Sequence, residues 1–550
     1  MKGQAAATLF LCCLPLAMAA AAPVPGDDTY SRPISEIDRS LPALEREQTA
    51  EELRRESRRV DREEKQKKGD AAAKAAQGQE LSVFLRKVEF TASKVLTAEE
   101  LAAITQKYEQ KEIGAQGLYG IVEEINALYR ERGYLTAMAL LPQQEIKDGV
   151  VKIILLEGVV GEVELAGARS TKASYILKRV RIPKGVILDF KELDKQLQWF
   201  NGTNDVKLYI ELRAGRQPGT TDFFLTAREP EKVAGIVFAD NAGNKSTGEA
   251  RIGLGFSDSS LTGSRDALSM AVLFSSDSYT GMANYTLPVT RRGGKVTAYY
   301  NRSKLKITED DVNSLNIRGS SSTFGLTYTH PLIIRSRLRQ ELIFDAQSQS
   351  SRTSVLGVNF ADSREKRLSL GMAVTRYKPG EVFYLKPSIV YGSYDNRVWQ
   401  ENRKVKKFAL DVFWQRQTRS NVIYSARLNG QWSFDKFLPA ADQFYLGGLY
   451  SVRGYEENVL SADSGLSLNI EARVPLKTPK LSALFFSDFG MVSGPNALSS
   501  KNLFSIGGGL QYEFARNGSL ALTVGIPLQK KVNDVKADAM RLHFSLNYKF

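Results

Sequence analysis

The sequence contains very few cysteines and histidines, and this limits the chemistry that the protein can perform. Its two cysteines, Cys12 and Cys13, lie in an apolar stretch near the start of the 550-residue chain. Loss of that stretch with a signal peptide would leave no disulfide, thiolate nucleophile or cysteine metal ligand. The two histidines, His330 and His543, have no serine, aspartate or metal-ligand pattern around them. We therefore predict that the protein is not an enzyme and has no metal site or cofactor.

Residues 1–22 have the composition of a secretory signal peptide. Lys2 precedes an apolar run, and the small-residue cleavage sequence Ala17-Met18-Ala19 follows it. The apolar run is shorter than the roughly 20 residues that a membrane-spanning helix needs. Leu11 directly before Cys12 is too bulky for a lipoprotein cleavage site, so we expect no lipid anchor. The leader predicts export from the cytoplasm.

The sequence after the leader has no apolar stretch long enough to cross a membrane as a helix. A membrane protein of this composition must be a closed β-barrel, because only helices and closed barrels satisfy the backbone in lipid. The chain is basic, with a formal net charge of +14. Since an exported chain is not expected to bind nucleic acid, we assign this charge to a water-filled lumen or to the lipopolysaccharide surface.

The second half of the chain alternates apolar and polar residues over runs of about ten, separated by turn residues. In the last run one face holds Met540, Leu542, Phe544, Leu546, Tyr548 and Phe550, and the other holds Arg541, His543, Ser545, Asn547 and Lys549. A soluble β-sandwich also alternates. Charged residues on the inner face, aromatic residues near the strand ends and the terminal Phe550 favour a transmembrane barrel instead.

Counting the alternating runs predicts about sixteen antiparallel strands, an even number that suits bacterial barrels. We place the strands near residues 233–240, 248–257, 266–274, 278–287, 294–302, 320–330, 337–348, 366–376, 381–391, 405–415, 421–432, 465–475, 482–492, 503–514, 519–526 and 540–550. The longest gap, about 433–464, lies between the eleventh and twelfth strands. A loop of that length in a compact domain usually serves a function.

Two units of mixed helix and strand precede the barrel and repeat the order β-α-α-β-β. Capping boxes at Thr97-Ala98-Glu99-Glu100 and Asp189-Phe190-Lys191-Glu192 begin a helix in each unit, and Gly133 ends the second helix of the first. The predicted segments are a signal peptide at 1–22, a charged helix and linker at 23–80, α+β units at 81–157 and 158–231, and a barrel at 232–550.

The charged segment has too few apolar residues to dock on a core. A helix that begins at Thr49 could extend to about Lys68, yet Leu53 and Val60 are its only apolar positions beyond alanine. On these residues alone we favour a solvated, partly disordered arm, followed by a linker rich in alanine and glutamine over 70–79.

This order of parts resembles the two-partner secretion transporters (TpsB family), such as the haemolysin secretion/activation proteins and the filamentous-haemagglutinin transporter. The resemblance covers the chain after the leader: a helix, a linker, two POTRA domains and a sixteen-stranded barrel. Local sequences match as well, namely Arg132-Gly133-Tyr134 in the first POTRA unit and Asp240-Asn241-Ala242-Gly243 after the first barrel strand.

The most specific match is a pair of motifs in the barrel. The long loop contains Val452, Arg453, Gly454 and Tyr455, which resemble the motif of loop six in this family. The predicted thirteenth strand carries the partner pattern in Phe486, Asp488 and Gly490. Strand alternation places Asp488 in the lumen, where a guanidinium could pair with it bidentately. The alternative is that Asp488 only hydrates the lumen and that Arg453 is a surface charge.

The resemblance implies a function, a location and a partner. The POTRA domains, in the periplasm, would capture an unfolded exoprotein by its N-terminal secretion domain, and the barrel in the outer membrane of a Gram-negative bacterium would translocate it. The charged helix near 49–68 would then plug the resting lumen rather than form a free arm. We expect contact with outer-membrane lipid and lipopolysaccharide, and a monomer. The alternative is an insertase for other barrel proteins, but two POTRA domains and the charged arm favour secretion.

Overall fold

The computed structural model describes residues 82–550 except 309–314, 479, 516 and 534. The signal peptide, charged helix and linker predicted for 1–80 lie outside the described residues. The described chain divides between two compact units, one ending at Glu229 and the other extending from Pro230 to Phe550. Within the described residues, no helix is both long enough and apolar enough to span a membrane.

The first α+β domain forms around the amphipathic helix α2. Its elements are β1 (Ser82–Leu85), β2 (Lys87–Phe90), α1 (Ala98–Thr105), β3 (Lys111–Gly114), α2 (Ala115–Arg132), β4 (Ala137–Leu140) and β5 (Val150–Glu157). The sheet order is β2-β5-β4, and β1 pairs with β3. Ile121 and Ile125 of α2 are fully buried against this sheet. The predicted capping box at Thr97 is confirmed. The short polar strand β3 was not predicted, because four residues show no measurable alternation.

The second α+β domain repeats the arrangement with fewer elements. It contains β6 (Val159–Ala166), α3 (Ala173–Leu177), α4 (Phe190–Thr203), β7 (Lys207–Ala214) and β8 (Thr220–Arg228), with the sheet order β6-β8-β7. Phe200 of α4 and Phe223 of β8 are buried in its core. Asp189 caps α4 as predicted, although its carboxylate accepts a hydrogen bond from the second helical residue, Lys191, rather than from the third.

The two α+β domains meet at Gly133. This glycine ends α2 in the left-handed conformation, with φ of 92°. Its carbonyl accepts a hydrogen bond of 2.8 Å from the amide of Phe190, at the start of α4 in the second domain. A Cβ atom at position 133 would lie 2.6 Å from the Asp189 carboxylate and 2.9 Å from Lys191. The position therefore requires glycine both for its backbone angle and for the close approach of the second domain.

The second unit is a closed antiparallel barrel of sixteen strands, as predicted. Its strands are β9 (Val233–Asp240), β10 (Arg251–Asp258), β11 (Ala267–Phe274), β12 (Ser278–Pro288), β13 (Lys295–Lys306), β14 (Arg318–Arg335), β15 (Leu338–Val355), β16 (Val358–Lys378), β17 (Glu381–Asn396), β18 (Glu401–Gln417), β19 (Ile423–Ser433), β22 (Ser464–Pro475), β23 (Leu481–Ser493), β24 (Asn502–Phe514), β25 (Gly518–Pro527) and β28 (Arg541–Lys549). Strands β20 (Phe444–Leu446) and β21 (Leu460–Ala462) lie in the long loop, and β26 (Lys531–Val532) and β27 (Val535–Lys536) form a hairpin before β28.

The middle strands extend further than predicted. Strand β16 has 21 residues, whereas alternation located only residues 366–376. An apolar band about 25 Å tall needs roughly ten residues of a tilted strand. The remaining residues of β16 continue the ladder beyond that band, where the outer face no longer needs to be apolar, so their polar composition concealed the strand.

The barrel closes where β28 pairs with β9. Five residue pairs form this seam, from Ser545 with Asp240 to Lys549 with Ile236. The ladder continues at Gly235, which exchanges backbone hydrogen bonds of 2.8 and 3.0 Å with Phe550. Beyond the other end, the side-chain amide of Asn241 donates to the Leu542 carbonyl at 2.8 Å and accepts from the Phe544 amide at 2.9 Å. Asn241 thus extends the seam past the last paired residues.

Candidate functional site

Loop six connects β19 to β22 and occupies residues 434–463. It folds back on itself as a hairpin, because β20 pairs with β21. Its apolar side chains do not remain in water. Leu446, Val452 and Leu460 are buried together with Val492 of β23 and Leu503 of β24. These wall residues sit on the inner face of the barrel, since their strand neighbours Met491 and Phe504 are exposed on the outer face. Loop six therefore lies inside the lumen.

The tip of loop six is held by the predicted partners Arg453 and Asp488. The guanidinium Nε lies 2.7 Å and Nη2 2.8 Å from the two carboxylate oxygens, a bidentate pair. The backbone amide of Arg453 also donates to Asp488 at 3.1 Å. Asp488 is 0 % exposed and Arg453 is 8 % exposed. Loss of one member of such a buried pair costs about 3–5 kcal/mol, because it leaves the other charge uncompensated.

Further wall residues complete the tip site, and sequence reasoning missed them. Glu471 accepts a hydrogen bond of 3.1 Å from Nη1 of Arg453, and Asn469 donates to Asp488 at 2.9 Å. Nε2 of His543 accepts from the Gly454 amide at 3.3 Å. Asn469 and Glu471 share the lumenal face of β22, because Ile470 between them is exposed on the outer face. Their proximity to Asp488 depends on the register that pairs Asn469 with Asp488, and a single sequence does not contain that register.

The guanidinium of Arg453 also stacks on an aromatic ring. Its central carbon lies 3.4 Å from the ring centroid of Phe486, two residues from Asp488 on the same face of β23. A cation over an aromatic face gains electrostatic stabilisation, most strongly where water is excluded. The first two members of the barrel-wall motif thus contact one side chain: Asp488 neutralises the guanidinium and Phe486 covers its plane.

The motif glycines allow the loop to approach the wall closely. Gly454 has φ of 94°, and a Cβ there would lie 2.9 Å from the carbonyl carbon of Gly525 on β25. At Gly490 the loop packs directly against the wall, since a Cβ there would lie 2.7 Å from Leu446 and 2.9 Å from Val452. Both glycines serve the packing of loop six on the wall.

The remaining motif residues fasten the tip to other strands. Val452 is buried in the apolar cluster of the loop. The hydroxyl of Tyr455 donates to the Phe504 carbonyl at 2.9 Å and accepts from the Gln529 amide at 3.2 Å. These contacts join the loop to β24 and to the segment after β25.

The sequence Asp240-Asn241-Ala242-Gly243 also belongs to this site. Asp240 pairs bidentately with Arg251 of β10, at 2.7 and 2.9 Å, and both side chains are buried. The hydroxyl of Tyr450, three residues before Arg453, donates to Asp240 at 3.1 Å. Lys245 in the loop after β9 forms an ion pair with Glu456. The tip of loop six is therefore connected to the first barrel strand as well as to the wall that carries Asp488.

The sheet edges of the two α+β domains carry matching amide contacts. Asn126 of α2 accepts from the Ala139 amide at 2.7 Å and donates to its carbonyl at 3.4 Å, on the edge strand β4. Asn201 of α4 makes the same two contacts with Leu208 of the edge strand β7, at 2.7 and 3.0 Å. In each domain an asparagine side chain bonds the amide and carbonyl of an edge-strand residue, and these are groups with which an added strand would pair. We call these contacts the edge clasps.

A buried phenol stabilises the first α+β domain near its end. Tyr129 of α2 is fully buried and donates a hydrogen bond of 2.8 Å to Glu157. Burial and this bond to a carboxylate raise the pKa of Tyr129. The phenol consequently stays protonated at neutral pH and keeps its donor role.

Neither histidine lies in an arrangement that resembles a catalytic site. Nδ1 of His330 contacts the hydroxyl of Tyr328 at 3.0 Å, and His543 receives the Gly454 amide described above. Within the ranges that the structure describes, no group of three or more histidine, cysteine, aspartate or glutamate side chains could hold a metal ion. The expectation that the chain is not an enzyme stays a prediction.

Comparison with protein families gives two matches. The family described as haemolysin secretion/activation protein ShlB/FhaC/HecB matches residues 219–512. The POTRA domain of ShlB type matches residues 83–158. Among curated proteins, the heme/hemopexin transporter protein HuxB of Haemophilus influenzae is 28% identical over 474 residues, covering 80% of this chain and 82% of its own. The outer membrane transporter CdiB of Dickeya dadantii is 23% identical over 403 residues, covering 69% of this chain and 70% of its own.

Solved structures show the same fold. CdiB from Escherichia coli superposes with a TM-score of 0.67 and 21% identity, covering 94% of this chain and 99% of that chain. BamA from Haemophilus ducreyi, lacking POTRA domains 1–3, gives a TM-score of 0.53 and 13% identity, covering 86% of this chain and 100% of that chain.

Proposed function

Because the chain belongs to the haemolysin secretion/activation protein family of two-partner secretion transporters, we propose that it moves an unfolded exoprotein through its barrel lumen. It is an outer-membrane β-barrel transporter with periplasmic POTRA domains, and it acts with a cognate exoprotein. The observation that carries the lumenal route is loop six, which lies inside the barrel and is held there by the ion pair of Arg453 with Asp488 and by apolar packing on the wall.

Loop six is proposed as the element that rearranges during transport. Its tip contacts strands on both sides of the barrel seam, through Arg453 with Asp488 and through Tyr450 with Asp240. Displacement of the tip would free the region of the lumen next to β22 to β25. The sites Val452, Arg453, Gly454 and Tyr455 on the loop and Phe486, Asp488 and Gly490 on the wall are in our proposal the two halves of one latch.

Capture is assigned to the POTRA sheets, because an unfolded substrate offers an extended backbone that can pair with an edge strand. Strand β4 has only four residues, and its clasp at Ala139 covers the middle of that edge. Strand β7 has eight residues, and its clasp at Leu208 covers only the start. By strand alternation the backbone groups of Ile210 and Leu212 point the same way as those of Leu208, away from β8. We therefore propose β7 of the second POTRA domain as the principal capture edge.

Finer proposals concern the surroundings of the barrel. Aromatic rings stack along the outer face near the seam: Tyr512, Phe514, Tyr548 and Phe550 form a row with centroid separations of 6.5, 6.0 and 6.2 Å. Such rings suit the lipid–water interface, where an amphipathic side chain is stabilised at both ends. We propose contact with lipid and lipopolysaccharide because of these rings. We propose a monomeric state because a closed barrel leaves no strand edge with which a second copy could pair.

The insertase alternative has less support. The likeness to BamA, at 13% identity, concerns the fold alone. The family match points to secretion, and the contacts of Asn241 and Phe550 hold the barrel seam together. A transporter that passes its substrate along the lumen can function with that seam closed.

The test of the proposed function is secretion by cells that express the cognate exoprotein. Deletion of residues 81–230, the predicted POTRA segments, should abolish secretion while the barrel still inserts, which heat-dependent gel mobility would report. Continued secretion would contradict the capture role. Removal of residues 23–68 should raise the planar-bilayer conductance of the protein if the predicted plug occupies the lumen, and an unchanged current would contradict the plug.

A further inference from the structure

Loop six has a second ionic contact, at its base rather than at its tip. Asp442 ends a short 3-10 turn, Ala440–Asp442, and is 0 % exposed. Its carboxylate lies 2.8 Å from the ammonium of Lys407 on β18 and 3.5 Å from the guanidinium of Arg367 on β16. Arg367 in turn pairs with Glu365. Its Nε contacts one carboxylate oxygen, and its Nη2 donates to the other at 3.1 Å. We call these four side chains the base quartet.

The base quartet is buried and combines two acidic with two basic side chains. Its four members are at most 5 % exposed, and two carboxylates face two cations. A buried set of this kind is stable only while its charges balance, because each ion has lost its hydration. Removal of one member leaves a net charge in a site that water scarcely reaches.

Hydrogen bonds beside the base quartet join the two ends of loop six. Lys407 donates to the Asp442 carbonyl at 3.0 Å. The side-chain Nε2 of Gln431 on β19 donates to that carbonyl at 2.6 Å and to the Asp463 carbonyl at 2.8 Å. The Asp463 carboxylate accepts from the Phe437 and Leu438 amides at 2.7 and 2.8 Å. The entry and exit of loop six are therefore fastened to each other and to the wall.

The base contact has the opposite polarity to the tip contact and uses different strands. At the tip, a loop cation, Arg453, enters an acidic part of the wall formed by β22 and β23. At the base, a loop anion, Asp442, enters a basic part formed by β16 and β18. The two parts are separated around the barrel by β19. Release of the tip thus removes no partner from the base.

We propose that Asp442 is a positioning residue for translocation: its buried, charge-matched contacts with Lys407 and Arg367 make the base of loop six a fixed point about which the tip moves. This inference rests on the proposed function of loop six. A released tip would then move about this anchored base and leave the lumen in a defined direction. A loop released at both ends would instead move freely in the path of the substrate.

Charge balance supplies the test. By formal count, Asp442→Asn changes the charge of the base quartet by +1, Lys407→Gln changes it by −1, and the double variant leaves it unchanged. Each single substitution should lower the ratio of molecules whose loop-six base is anchored to molecules whose base is released by about 100-fold, which corresponds to about 3 kcal/mol. Lys404→Gln is the matched control, because it removes the same charge from an exposed position on the other face of β18. All variants are made in the full-length chain, and gel mobility before and after heating checks that the barrel has folded.

Two readouts are needed. Single-channel recordings in planar bilayers report movement of the loop without any exoprotein, and secretion in cells reports transport. We expect both single variants to show noisier currents and at least tenfold less secretion, and we expect the double variant and Lys404→Gln to behave nearly as wild type. If the singles do not fold, a folded double variant with quiet currents supports the proposal.

A folded Asp442→Asn variant with wild-type currents would overturn the proposal, and so would a double variant as noisy as either single. Absence of secretion from the unmodified protein would count against the proposed function instead, and the recordings would still decide whether Asp442 anchors the loop.

Discussion

Replacement of Arg453 by alanine should release the tip of loop six and remove most secretion. Arg453 makes two charge-assisted side-chain bonds to Asp488, at 2.7 and 2.8 Å, and one to Glu471 at 3.1 Å. In its absence the fully buried Asp488 keeps the hydrogen bond from Asn469 and the backbone amide at position 453. The loss should cost about 3–5 kcal/mol, so the ratio of docked to released tip should fall by at least about 100-fold.

The assay is a double-mutant cycle on secretion and bilayer conductance. Arg453→Ala, Asp488→Ala and the double variant are compared in chains whose folding is checked by gel mobility. If the two side chains act as one unit, the double variant should lose little more than the worse single variant. Arg453→Lys keeps the charge but cannot bind two oxygens in parallel, so we expect an intermediate loss. Additive losses, or normal secretion by a folded Arg453→Ala variant, would refute the reasoning.

Two further predictions concern the POTRA domains. Gly133→Ala should destabilise them by about 1–3 kcal/mol, seen as a lower first unfolding transition of the full-length protein, because it combines positive φ with a clash at Asp189. Gly219→Ala is its control, with φ of 79° and nothing within 4 Å, and an equal loss in both would exclude the domain contact as the cause. The Asn201→Ala variant should bind an unfolded exoprotein fragment about fivefold more tightly in a fluorescence titration, because the substitution frees the backbone amide and carbonyl of Leu208 for pairing with an added strand. Weaker binding would contradict a capture edge at β7.

The barrel was predictable because alternation repeats over many residues. Each predicted strand overlaps a strand of the structure, and the count of sixteen follows from runs that are hard to mistake. Strand ends were less predictable, as β16 shows, because a ladder that leaves the membrane no longer needs an apolar face. The four-residue strand β3 was missed for a related reason: it carries too little pattern.

The site was predictable only in part. Arg453 and Asp488 were paired through resemblance to a family motif and through alternation on β23, which placed Asp488 in the lumen. Glu471, His543 and the base quartet were not found. Their positions depend on strand register and on the path of loop six, and neither is encoded in local residue spacing. Lys407 and Asp442 are 35 residues apart in the sequence, and each alone resembles an ordinary polar residue.

The passage of the exoprotein through the barrel lumen can be tested most directly by photo-crosslinking from adjacent residues of one strand. On β13, Asn301 is buried on the inner face, whereas Tyr300 is exposed on the outer face. A photoreactive residue at each position is irradiated while a cognate exoprotein is stalled in transit. Crosslinks to the exoprotein from position 301 and not from position 300 are predicted. Crosslinks from position 300 alone would contradict a lumenal route.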